Sequence, residues 1–148
     1  MGVNRAVPVW AFWDNIRKPD GSPMGGGTAI AYENMARDKN GHFIFRRARL
    51  WSDAEKTVLI ASSVVDLDAN GLPLDPQTGG LLPVYGDNSY LFYFFDAGAT
   101  LPDPIEEAKL QQTNPGELPT GVTPPIRTAV FGSAQRSPNA ALPPTDPR

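Results

Sequence analysis

Cysteine is absent from this chain, which removes disulfide staples, thiolate nucleophiles and cysteine-ligated metals in one step. Histidine occurs once, so a Ser-His-Asp relay would have to pass through His42, and there is no Gly-x-Ser-x-Gly elbow to serve it. Long apolar runs are missing as well: none approaches the roughly 20 residues that cross a bilayer. The opening residues, MGVNRAVPVW, lack the apolar stretch of a secretory signal, and a start in the cytosol is expected. Basic charge is scarce. Thirteen Lys and Arg against 16 Asp and Glu leave a net charge of −3, which argues against a dedicated nucleic-acid binder.

Proline and glycine, in contrast, are plentiful, at 16 and 14 of 148 residues, while the 41% hydrophobic share excludes wholesale disorder. The length suits one domain with a modest core. Much of the proline falls after Thr100, so the composition divides the chain in three. Residues 1–100 form an antiparallel β module, 101–112 a short helix or linker, and 113–148 an extended Pro-rich arm.

Within the module, six short stretches carry strand composition: 7–13, 28–37, 42–51, 57–67, 81–85 and 90–95. Pro8 confines the first to an edge. Asp38-Lys39-Asn40-Gly41 predicts a hairpin turn of type I′, because Asn-Gly tolerates the positive φ that this turn demands. With turn signals between strands and no amphipathic helix among them, the pattern predicts an all-β fold, a small antiparallel β-sandwich with one short helix. Ile30, Tyr32, Phe43, Phe45, Val58, Ile60, Tyr90, Phe92 and Phe94 are its expected core. The helix is expected over 103–112, with Asp103 as N-cap, Pro104 in the first turn and Glu106 at the capping-box position. In the arm, proline removes backbone donors and argues against sheet pairing. Its sparse apolar residues, Leu118, Val122, Ile126, Val130, Phe131 and Leu142, suggest a strap on a neighbouring protein, anchored by Phe131.

Candidate chemistry is thin. Gly25-Gly26-Gly27 lacks the following helix and the GK[ST] of a phosphate loop, and fits a close backbone approach instead. Asp66-Leu67-Asp68-Ala69-Asn70-Gly71 matches the first half of a calcium loop, but Gln77 stands where the closing acid belongs. A strand running into a turn is the better interpretation. Glu106 and Glu107 are expected on a solvated helix face. Arg46, Arg47 and Arg49 lie among aromatics, which suits a stacking surface for single strands less well than a protein interface. No nucleophile with a base, no metal cluster and no cofactor fingerprint emerges, so neither an enzyme nor a cofactor is expected.

One ordered series of signals stands out: Gly21, Pro23, Met24, Gly25 and Gly26; Tyr32; Ser52-Asp53-Ala54; Leu67-Asp68-Ala69-Asn70-Gly71; and Gly86, Tyr90, Phe92 and Asp96-Ala97-Gly98. Over residues 12–98 this order resembles the N-terminal virion-attachment modules of tailed-bacteriophage tail fibres and tailspikes. Their pattern runs G-x-P-L-x-G-G, a T/S-D-A turn, L-D-A-x-G, then G-x-Y-x-F-x-x-x-D-A-x-G. Two departures are the long hairpin around 38–41 and an insertion-like 72–80. The resemblance implies a structural protein of the virion, an adaptor, baseplate or fibre-hub component docking on other virion proteins (tail, baseplate, fibre or capsid subunits). It implies a homotrimer assembled in the host cytoplasm, with neither nucleic acid nor membrane as partner. Interface candidates are Trp10, Trp13, Arg46, Arg47, Arg49 and Phe131. Two rivals stand beside it: a capsid decoration protein, which shares the expected β-sandwich, and a carbohydrate-binding module stacking sugars on Trp10, Trp13 or Trp51.

Overall fold

A computed structural model describes residues 5–10 and 15–132. Two antiparallel sheets and one short helix make up the regular structure there, so the all-β expectation holds. The smaller sheet pairs β1 (Val7–Pro8) with β4 (Tyr85–Gly86). The larger has the order β3-β2-β5-β6, from β2 (Thr28–Glu33), β3 (Val64–Asp66), β5 (Ser89–Phe95) and β6 (Arg127–Gly132).

The four-stranded sheet is covered on both faces, and alternation along β5 shows how. Tyr90, Phe92 and Phe94 face one core; Leu91, Tyr93 and Phe95 face the other. In the paired strand β2, Ala29 lies opposite Phe94 and Ala31 opposite Phe92. Small residues beside large rings leave room for Trp10, whose indole meets Phe92, Phe94 and Phe131 edge-on at 5.6, 5.9 and 5.3 Å. On the second face Ile30, Tyr32, Phe45 and Phe95 form a smaller core, flanked by Phe43, Leu118 and Val122. Helix α1 (Pro104–Leu110) packs over this face. Asp103 caps it, its carboxylate accepting from the amides of Ile105 and Glu106 at 3.1 and 3.0 Å.

Several expectations need correction. The strand expected over 28–37 stops at Glu33, and Met35 takes a φ of 67° just beyond it. The stretch 42–51 forms no continuous strand, pairing through isolated bridges at Phe43, Arg47 and Trp51. Burial at 45, 48, 50 and 51 explains this, since that spacing does not alternate. The stretch 57–67 breaks at a 3₁₀ turn, Ala61–Ser63, where Ser62 and Ser63 have positive φ. Val58, assigned to the core, is 55% exposed. It follows a turn in which the Asp53 carboxylate accepts from the amides of Thr57 and Val58, and this carries the chain outward. Phe43 is only half-buried.

The hairpin turn at 38–41 forms, though not as type I′: only Gly41 has positive φ, at 84°. The Asp38 carboxylate accepts from the amides of Asn40 and His42 and closes the turn without Asn40 entering the left-handed region. Part of the stretch expected as an unpaired arm joins the sheet. Residues 127–132, RTAVFG, contain no proline, and they form the edge strand β6 along β5. Residues 133–148, with Leu142, lie outside the described part, as do residues 11–14 with Trp13.

Candidate functional site

Two places stand out among the described residues: a polar cluster beneath α1 and a groove with an aliphatic rim beside β3. The cluster begins with Tyr32, placed on the second face by the alternation of β2. Its hydroxyl donates to Glu107 Oε2 at 2.5 Å, and Glu107, only 1% exposed, is the buried acid of α1. Arg47 Nε donates to Glu107 Oε1 at 2.7 Å and Nη2 to Oε2 at 3.4 Å. The rest of the guanidinium is used on the carbonyls of Ser62 and Pro102, and its Cζ lies 5.5 Å from the centre of the Tyr32 ring. Burial, reinforced by the hydrogen bond to the Glu107 carboxylate, pushes the Tyr32 phenol well above its ordinary range. One turn on, Gln111 Oε1 accepts from the amides of Phe45 and Gly116, while its Nε2 donates to the carbonyls of Glu107 and Glu117.

Each carboxylate oxygen of Glu107 has a donor, and Arg47 has acceptors on three sides. A group so fully engaged is suited to hold elements together. The cluster ties α1, the strand β2, the 42–51 stretch and residues 116–117 into one body. It corrects two expectations at once: Glu107 is not on a solvated face, and Arg47 turns inward.

The remaining candidates scatter. Trp10 and Phe131 are core residues of the first face, each 1% exposed. Arg46 is exposed and pairs with Glu33 at 3.3 Å. Arg49 is exposed, its guanidinium 5.7 Å from the Trp51 ring, and Lys56 Nζ lies 5.3 Å from the same ring. Trp51 itself is buried beneath these cations. Of the six interface candidates, only Arg46 and Arg49 are exposed within the described residues.

The glycine run serves close packing, as its sequence suggests. A Cβ on Gly25 would stand 2.7 Å from the Ala69 carbonyl oxygen, and one on Gly27 would stand 2.7 Å from that of Phe95. The Asp68 carboxylate, the calcium-like acid, accepts from the amides of Asn70 and Leu72. No cluster of three potential metal ligands exists among the described residues.

The groove was not legible in the sequence. It has a volume of about 400 Å³ and is lined by Leu59, Ile60, Val64, Leu74, Pro76 and Leu82, with the acids Asp66 and Asp75. Val58, Leu59 and Leu81 around it are 55%, 53% and 44% exposed, and Leu81 bridges to Leu74 in its wall. Aliphatic side chains gathered on one surface at this exposure mark a place where another surface can dock.

No family model, no curated protein and no solved structure matches the chain.

Proposed function

We propose that this chain is a structural protein of a tailed-phage virion, a tail-fibre or baseplate adaptor that docks an appendage by protein–protein contact. The observation that carries this reading is the groove framed by Val58, Leu59 and Leu81. It lies beside β3, one of the two outer strands of the larger sheet, and sheet edges and apolar patches are where β modules recruit partners. The ordered turn signals of the sequence support the same reading by resemblance. The partners are other virion proteins, the docked form is a homotrimer, and the role requires no catalysis or cofactor.

The carbohydrate-binding alternative loses two of its three platforms, since Trp10 is a core residue and Trp51 is roofed by Arg49 and Lys56, while Trp13 lies outside the described residues.

The test is Leu59→Asp, with incorporation into assembled particles compared with wild type. We expect the melting temperature to hold while incorporation falls sharply. Wild-type incorporation would refute the docking role of the groove. Incorporation confined to heads would point to capsid decoration instead. Light scattering checks the trimer, and a monomer at all concentrations tested would remove that part of the proposal.

A further inference from the structure

Two four-residue turns share the pattern Asp-x-Asn-Gly, Asp38 to Gly41 and Asp68 to Gly71, and they close with the same bonds. In each, the Asp carboxylate accepts from the Asn amide and from the residue after Gly. In each, the Asp amide donates to that same later residue's carbonyl, at 2.9 and 2.8 Å, and the Gly amide donates to the Asp carbonyl at 3.0 Å. The two glycines have φ of 84° and 81°. The turns differ in their surroundings. Both asparagines are exposed, but around Gly41 an added Cβ would meet nothing within 4 Å. Gly71 is buried, its added Cβ would stand 2.3 Å from the Ile16 carbonyl oxygen, and its own carbonyl accepts from the Ile16 amide at 2.9 Å. The same turn is held from a second side, where the Gly26 amide donates to the Asp68 carbonyl at 3.2 Å.

We propose that Asn40 is a site of spontaneous backbone modification, converting to isoaspartate and aspartate in the folded protein, while Asn70 in the twin turn is protected. In this reaction the Gly41 amide nitrogen attacks Cγ of the Asn40 side chain and gives up its proton. The Cγ–Nδ2 bond breaks, ammonia leaves, and a five-membered succinimide remains. Water then opens the ring at either carbonyl, giving aspartate or the β-linked isomer; nothing is oxidised or reduced. The attack requires a following residue with no side chain in the way, release of the glycine amide from its hydrogen bond, and rotation of the local backbone. Because both glycine amides make the same bond to an Asp carbonyl, that cost is common to the two turns. What separates them is the cost of opening. Residues 38–41 open against bonds within the turn and to the adjoining His42, whereas moving Gly71 must also break its bond to Ile16, in a turn that Gly26 holds at the Asp68 carbonyl.

The product adds a carboxylate next to that of Asp38. In the isomer it also lengthens the main chain by one methylene inside the turn that sets the Arg37–Phe43 bridge. The hairpin beneath Phe43 and Phe45 would therefore loosen with age.

The experiment incubates the full chain in mildly alkaline buffer made with ¹⁸O-water and follows both sites by peptide mapping and mass spectrometry. A parallel sample in concentrated urea gives the rates of the unfolded chain. Folded, Asn40 should convert at least about tenfold faster than Asn70, equivalent to ~1.4 kcal/mol of extra opening cost at the second turn. In urea the two rates should converge. Equal rates in the folded chain, faster loss at Asn70, or an intact Asn40 after the urea control has converted would each overturn the proposal.

Discussion

Removing Arg47 should be among the most damaging single changes this fold can suffer, even though the residue is polar and sits in an irregular stretch. In Arg47→Met the Glu107 carboxylate stays buried but loses both guanidinium bonds, at 2.7 and 3.4 Å, and keeps only the Tyr32 hydroxyl. Leaving one member of a buried pair uncompensated costs about 3–5 kcal/mol. For a chain near 150 residues each kcal/mol moves the melting temperature by about 2–4 °C, so the expected drop is roughly 6–20 °C. Glu107→Leu should cost less, because the orphaned guanidinium keeps the carbonyls of Ser62 and Pro102 and its side chain is 12% exposed against 1% for the acid. The double variant Arg47→Met/Glu107→Leu removes both charges together. It should be much less destabilised than the sum of the singles, since replacing a buried pair by apolar groups is often close to neutral. Thermal and urea unfolding followed by circular dichroism would measure all three. An Arg47→Met melting curve superimposable on wild type, or a double variant that equals the sum of the singles, would refute the clamp.

Further tests use the same assay. Burial holds the phenols of Tyr32, Tyr90 and Tyr93 above their ordinary value of 10.0. The folded state thus favours the protonated form: stability is intact below pH 10.0 and falls as pH rises beyond it, less steeply in Tyr32→Phe. Asp87 is held below 3.8, chiefly by the hydrogen bond from Lys56. Its contribution is therefore present above that pH and lost as pH falls through it, and Lys56→Met should flatten the acid limb. Phe131→Ala should cost about 3–5 kcal/mol and Val58→Ala almost nothing, the reverse of the order their sequence contexts suggest; similar melting temperatures would mean that β6 is not part of the core. Gly71→Ala should lower the melting temperature more than Gly41→Ala, because both bear the left-handed φ but only the first adds a clash with Ile16; equal losses would count against the packed turn.

What the sequence made legible was local. The Asp103 cap, the turn at 38–41, the close approach of the triple glycine and the alternation of β5 each depend on residues a few positions apart. Their physics is complete within that window. Burial of Arg47 and Glu107 is not of this kind, because it depends on a pairing across 60 residues. A lone Arg or Glu in a sequence is correctly expected at the surface until its partner is known. Phe131 is a different case. The proline density of the whole 113–148 stretch hides a short proline-free run, 127–132, with strand composition of its own.

The burial of these side chains bears on where a partner would dock. Aromatic and arginine side chains are the usual anchors of interfaces, and a chain with few of them invites assigning all to that role. Here the first face of the sheet takes Trp10, Phe92, Phe94 and Phe131 for itself, and the second takes Tyr32, Phe45 and Arg47. With both faces of a four-stranded sheet to cover from one short chain, the large side chains are consumed in folding. Among the described residues, the large apolar side chains left exposed are aliphatic or methionine: Val58, Leu59 and Leu81 around the groove, and Val7, Met35, Leu101, Ile105 and Val130 elsewhere. Such residues are the least conspicuous in a sequence, since a Val or Leu in a strand-like stretch is expected in the core. A docking surface built from them gains affinity from buried apolar area and shape, and Asp66 and Asp75 in the groove add attraction for a basic partner that salt would screen.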